Sequence, residues 1–196
     1  MKKNEKILII FSHPRKNSFN SFILSRILHV LQEYNLDFVI RDLYEIGFDP
    51  VLKFEENLHD IMIEQNYIRD SNLLIFIYPV WWGSMPAILK GYIDRVLSYG
   101  FAYTVDGEGN SIPLLSGKKS IIVSTLGGEE KTYKDHSLEE AIKKINKHII
   151  FEFCGIELIE QFFIYGVKEN NRKELEEKVE KLEQKIREII YALYSH

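Results

Sequence analysis

One cysteine, Cys154, stands in 196 residues, so no internal disulfide can form. So low a thiol content fits a reducing cytoplasm, where we expect the protein to reside. There is no excess of positive charge: the formal net charge is −4 and lysine and arginine form no cluster, which argues against nucleic acid as the main partner. Long apolar runs are missing as well. The first, Ile7–Phe11, is too short for the core of a signal peptide and is followed by His13-Pro14. No run approaches the roughly 18 residues that a spanning helix needs, so stable membrane insertion is not expected. Neither GxGxxG nor GxxxxGK[ST] occurs, so the two common glycine signatures for dinucleotides and nucleoside triphosphates give no support. Repeats, linkers and low-complexity segments are absent too, and one domain spanning 1–196 is expected.

What is present is a packable composition, 45% hydrophobic and 28% charged. Short apolar runs alternate with helix-period stretches. Lys6–Ser12, Asp37–Leu43, Asn72–Val80, Lys118–Gly128 and Gly155–Val167 read as strands. Between and after them, Phe19–Tyr34, Ile61–Ser71, Pro86–Leu97, Ser137–Phe153 and Asn171–His196 read as helices, with Glu45–Leu58 a loop. This alternation predicts an α/β fold: a doubly wound, five-stranded parallel sheet of order 2-1-3-4-5, covered by helices on both faces. In such a sheet ligands sit at the carboxyl ends of the strands, beside the point where the strand order reverses.

Three segments follow three of those strands. The first is "SHPRKNSFN", Ser12 to Asn20. Ser18 and Asn20 can hydrogen-bond through their side chains, free amides at a helix start favour an anion, and His13 and Arg15 add positive character. A phosphate fits there; the plainer reading is a helix cap with a solvated loop. The second is "YPVWWGSMP", which holds both tryptophans of the chain, Trp81 and Trp82. Two adjacent indoles cannot easily point into the same core. Flat rings beside the amides of Val80–Gly83 suit a flat heteroaromatic ligand. The third is "STLGGEEKTYKDH", Ser124 to His136, in which Gly127-Gly128 admits a close ligand and Tyr133 and His136 are candidate proton donors.

With these motifs in place, the chain resembles the flavodoxin-like NAD(P)H:quinone oxidoreductases, including the bacterial members near modulator of drug activity B and the potassium-efflux ancillary proteins. The resemblance rests on "SHPRKNSFN", "YPVWWGSMPAILKGYIDRVLSYGFAY", "STLGG" followed by Tyr133, "FCG" at Phe153–Gly155 and "YGV" at Tyr165–Val167. It implies that His13, Ser18, Phe19 and Asn20 form a flavin phosphate and ribityl loop. Pro79, Val80, Trp81, Trp82 and Gly83 would form a second flavin loop, and Thr125, Leu126, Gly127 and Gly128 a third. Trp82, Phe101 and Tyr103 would line the acceptor slot, the last two from the neighbouring subunit of a homodimer. Tyr133 and His136 would be catalytic, and no metal is called for. The family's activity is ping-pong hydride transfer from NAD(P)H through FMN or FAD to a quinone or similar flat acceptor. The segment 49–61 is shorter than in long eukaryotic relatives, which leaves FMN or FAD open. Azo- or nitro-reduction is the rival within enzymes. A redox-sensing subunit in peripheral contact with a potassium-efflux transporter is the rival outside them, and a flavodoxin-type electron carrier ranks last.

Overall fold

The computed structural model describes residues 6–53, 58–168 and 172–194; residues 1–5, 54–57, 169–171, 195 and 196, among them parts of the expected loop and final helix, lie outside them. The elements in chain order are β1 (Lys6–Phe11), α1 (Phe19–Glu33), β2 (Phe38–Asp42), α2 (His59–Asp70), β3 (Ser71–Pro79), α3 (Ala87–Val96), β4 (Tyr103–Val105), β5 (Ser111–Pro113), β6 (Lys119–Thr125), α4 (Glu130–Asp135), α5 (Leu138–Lys144), β7 (Glu157–Ile164) and α6 (Arg172–Tyr194). Five strands form one sheet in the order β2-β1-β3-β6-β7, every pair parallel, which is the expected 2-1-3-4-5 arrangement.

The sheet is apolar on both sides because successive residues of a strand face opposite ways. Leu8, Ile10, Leu74, Phe76, Tyr78 and Ile122 pack with Leu89, Tyr92, Ile93 and Val96 of α3, Ile61 and Ile68 of α2 and Ile142 of α5. Ile7, Ile9, Phe11, Ile75, Ile77, Ile121 and Val123 pack on the other face with Ile23, Ile27, Val30 and Leu31 of α1 and Leu175, Val179, Leu182, Ile186 and Ile190 of α6. Nearly all of these side chains are withdrawn from water, each removal worth roughly 1.5–3 kcal/mol. The charged face of α6 is solvated, with Arg187 bridging Glu183 on its own helix and Glu33 on α1. Gly91 lets α3 lie directly on the chain at Pro50: a Cβ there would fall 2.2 Å from the Pro50 carbonyl oxygen.

The structure departs from the sequence reading in three places. A separate antiparallel hairpin, β4–β5, occupies the stretch after α3; its turn is capped by the Asp106 carboxylate, which accepts from the Glu108 and Asn110 amides. The single helix expected over Ser137–Phe153 is composite. Ser137 is left-handed (φ +54°), α5 runs only to Lys144, residues Ile145–Phe151 wind as a π-helix, and Glu152–Cys154 close as a 3₁₀ turn. Finally, Glu130–Asp135, read as loop, is the short helix α4.

Candidate functional site

The order of the sheet reverses between β1 and β3, and a cavity of about 770 Å³ opens at the carboxyl ends of β1, β3 and β6. That volume lies within the usual range for cofactor sites. Its foot is the start of α1. Ser18 caps the helix, its Oγ accepting from the Ser21 amide at 3.1 Å, and the Ser18 carbonyl accepts from Phe22. The Phe19 and Asn20 amides find no acceptor among the described residues, so the helix presents free N–H groups to the cavity. Asn20 itself is buried. Its Nδ2 donates to Thr125 Oγ1 at 2.9 Å, and its Oδ1 is buried without a hydrogen-bond partner. An acceptor buried without a partner costs about 1–3 kcal/mol. His13 stands beside it and accepts from the Arg15 amide at 3.1 Å. Burial, with the Arg15 charge acting the same way, holds its imidazole below the ordinary value and so favours the neutral ring.

The ends of the strands are tied together around this foot. The Val80 amide donates to the Thr125 carbonyl at 2.8 Å, Leu126 donates to Ile164, and Val167 and Gly166 donate back to Leu126 and Gly128. The Trp81 amide is spent on the Ser84 carbonyl, and Ser84 returns the bond. Of the amides of Val80–Gly83 expected to face a ligand, only those of Trp82 and Gly83 lack an acceptor among the described residues. The Trp81–Ser84 turn carries positive φ at both central positions, +51° at Trp82 and +74° at Gly83, as in a type I′ turn. A left-handed backbone is natural for glycine but costs a tryptophan roughly 1–2 kcal/mol. The turn pushes Trp82 fully into solvent, while Trp81 is 42% exposed and meets the His13 ring edge-on, centroids 6.2 Å apart.

Of the residues singled out in the sequence, His13, Ser18, Phe19, Asn20, Pro79, Val80, Trp81, Trp82, Thr125, Gly127, Gly128 and Tyr133 line this cavity. Gly83 closes the turn behind Trp82, and Leu126 is buried in the core. His136 is exposed at the end of α4 and does not line the cavity. Phe101 and Tyr103 lie elsewhere: Phe101 under the Arg69 guanidinium, Tyr103 against Tyr99 and Phe153. Asn17, Val167 and Lys168 also line the cavity and were not chosen from the sequence; the "YGV" run pointed to the place but offered no chemistry of its own.

The fold and the position of the cavity define a flavodoxin-like protein. A family model described as "Flavodoxin-like fold" matches residues 5–188. An uncharacterized NAD(P)H oxidoreductase of Haemophilus influenzae is 39% identical over 168 residues, covering 81% of this chain and 82% of that protein. NAD(P)H dehydrogenase [quinone] 1 of Cavia porcellus is 31% identical, covering 83% and 69%. Among solved structures, an NAD(P)H:quinone oxidoreductase from Methanothermobacter marburgensis superposes with a TM-score of 0.85 at 25% identity, covering 95% and 97%. The chain belongs to the flavodoxin-like NAD(P)H:quinone oxidoreductase family.

Proposed function

We propose that the cavity holds FMN or FAD and that the chain is a flavin-dependent NAD(P)H dehydrogenase whose acceptor is a quinone or a similarly flat molecule. The observation that carries this reading is the foot of the cavity: two unpaired helix amides and the buried, unpartnered Asn20 Oδ1, beneath an outer wall of exposed indoles. The foot suits a phosphate and a polyol chain, and the wall suits a flat ring. Flavin, when bound, supplies the two-electron redox chemistry between a nicotinamide and an acceptor.

The remaining work falls to the chain's own residues. The start of α1, with Ser18, Asn20 and neutral His13 around it, anchors the phosphate end. Arg15 and Lys168 line the same cavity and add positive charge to its polar end. Trp81 and Trp82 exclude water from one side of the ring, and Gly127 allows close approach on another. Tyr133 lines the cavity, and its hydroxyl makes no hydrogen bond among the described residues, so its proton is available to a group gaining negative charge there. NAD(P)H and the acceptor use one slot in turn, which gives ping-pong kinetics.

A second copy of the chain completes that slot. Tyr99, Ile145, Ile149 and Phe153 are exposed, the last three at four-residue spacing, and Tyr99 and Phe153 flank Tyr103; a monomer gains little by leaving such apolar groups in water. Sedimentation showing a fully active monomer at micromolar concentration would exclude the shared slot. The function itself is tested by purifying the protein, identifying any extracted flavin, and measuring NAD(P)H oxidation with and without a small quinone. A protein that binds neither FMN nor FAD at micromolar concentration sinks the proposal.

A further inference from the structure

Tyr133 sits on an element that cannot place it. The helix α4 is six residues long, buries none of them, and starts at Glu129 without a side-chain cap. So short a helix is marginal in water unless something holds it. Its Glu130–Lys134 ion pair is exposed and therefore weak. The chain on its far side passes through the left-handed Ser137 before α5 begins.

The Tyr133 ring is half-buried against the core, and two of its neighbours bear on its place. One is Gly128, whose missing side chain leaves room for the ring: a Cβ there would fall 2.9 Å from Tyr133 Cε2. The other is the ring of Tyr165, at 5.6 Å between centroids and 52° between planes. Tyr165, unlike Tyr133, is fixed from every side. It follows directly on β7 and is 6% exposed; its ring stacks on Phe163, and its carbonyl accepts from Lys178 of α6 at 3.2 Å. Its hydroxyl donates to Glu139 Oε2 at 2.5 Å, and the other oxygen of that carboxylate accepts from Lys143 at 2.7 Å. The Lys143 ammonium also lies over the Phe163 ring, 5.5 Å from its centre.

We infer that Tyr165, anchored by Glu139, is a positioning residue for Tyr133: it sets the place of the Tyr133 hydroxyl at the cavity by holding α4 against the end of the sheet. Positional information runs from the rigid strand to the marginal helix through this ring-on-ring contact, and Glu139 ties the same tyrosine to α5 beyond it. The inference rests on the reading of Tyr133 as the donor at the flavin site, so its test includes a measurement that needs neither flavin nor turnover.

That measurement is hydrogen exchange of the 129–137 segment in the full chain, wild type against Tyr165→Leu. An aromatic pair of this geometry holds enough free energy that its loss should speed exchange there about 2- to 10-fold, with β1 and β3 unchanged. Glu139→Ala, which keeps both rings, should do the same to a smaller extent, and Glu139→Gln, which keeps an acceptor for the Tyr165 hydroxyl, should restore wild-type exchange. These two variants decide the matter if Tyr165→Leu does not fold. Unchanged exchange in 129–137 overturns the inference. The second arm is stopped-flow reduction of the flavin-loaded protein by NAD(P)H. If Tyr165 acts through Tyr133, Tyr165→Leu slows the wild type but adds no slowing to Tyr133→Phe. Additive slowing means that Tyr165 acts on its own, which also overturns the inference. Tyr133→Phe reacting at the wild-type rate would remove the donor reading alone, leaving the exchange result to judge whether Tyr165 places the helix.

Discussion

The two walls of the cavity are built on different terms. The inner wall is the carboxyl edge of the sheet with the start of α1. There Asn20 reaches across 105 residues to Thr125, Val80 is bonded to the same residue, and the strand ends are laced together by backbone bonds. The outer wall is Trp81, Trp82 and Tyr133. It has exposed rings, a backbone turn in the left-handed region, and a tyrosine on a helix with no buried residue. The inner wall is held in place by bonds within the chain before a ligand arrives; the outer wall presents rings that such bonds do not hold. On the function proposed above, affinity for the polar end belongs to the inner wall and the chemistry at the ring to the outer one.

The sharpest way to break this division is Tyr133→Phe. A single positioned donor is typically worth about 10²–10³ in rate. Stopped-flow should show slower reduction by NAD(P)H and slower reoxidation by a quinone, with flavin affinity unchanged. Wild-type rates in both half-reactions would make Tyr133 structural and direct attention to His136. The inner wall is tested by the combined Ser18→Ala and Asn20→Ala variant. Losing hydrogen bonds to a charged group and to the buried Asn20 acceptor should weaken flavin binding about 10- to 100-fold while the chain remains folded, as followed by fluorescence titration and circular dichroism. Unchanged affinity would place the phosphate elsewhere.

A smaller effect separates stability from binding within the outer wall. Trp82→Gly should relieve the cost of a left-handed tryptophan, offset in part by the freer unfolded chain, for a net gain of about 0.5–1 kcal/mol. The melting temperature of the flavin-free protein should rise by about 1–4 °C while flavin affinity falls. If it falls instead, the Trp82 ring makes stabilising contacts in the free protein. The smallest effect concerns His13. Burial lowers its folded-state value below the unfolded one of about 6.5, so the neutral ring is favoured by folding. Its contribution to stability is complete above that unfolded value and is lost as pH falls through it toward the folded one. The flavin-free protein should lose more melting temperature between pH 7.5 and 5.5 than His13→Asn does. Loading the site with a phosphate-bearing flavin should shrink that difference, because a nearby anion favours the charged ring. Equal slopes would remove His13 from the account.

Much of the fold was legible because five apolar runs, each bounded by polar residues or glycine, can only be buried strands in a chain of this composition. The three loops that follow β1, β3 and β6 were legible for the same reason, since the topology brings strand ends together. Other features left no such trace. The three-residue strands Tyr103–Val105 and Ser111–Pro113 are too short for an alternation to register. Residues 145–151 keep the apolar spacing of a helix while their backbone widens into a π-turn, a change that hydrophobic periodicity cannot reveal. Lys168 and Val167 reach the cavity because β7 is the last strand and stops beside Gly127 and Gly128, a matter of where a strand ends, which is read from sequence only to within a few residues.

The placement of the two indoles has an optical consequence. Trp81 and Trp82 are the only tryptophans in the chain, and both stand at the mouth of the same cavity. The tryptophan emission of the protein therefore comes from one spot, with no tryptophan in the core to add to it. An absorbing molecule that settles between these rings quenches nearly all of the signal at once. Because Trp82 is bathed in solvent and Trp81 is half covered, the blue and red sides of that band should respond separately, so each ring reports its own contact as the site fills.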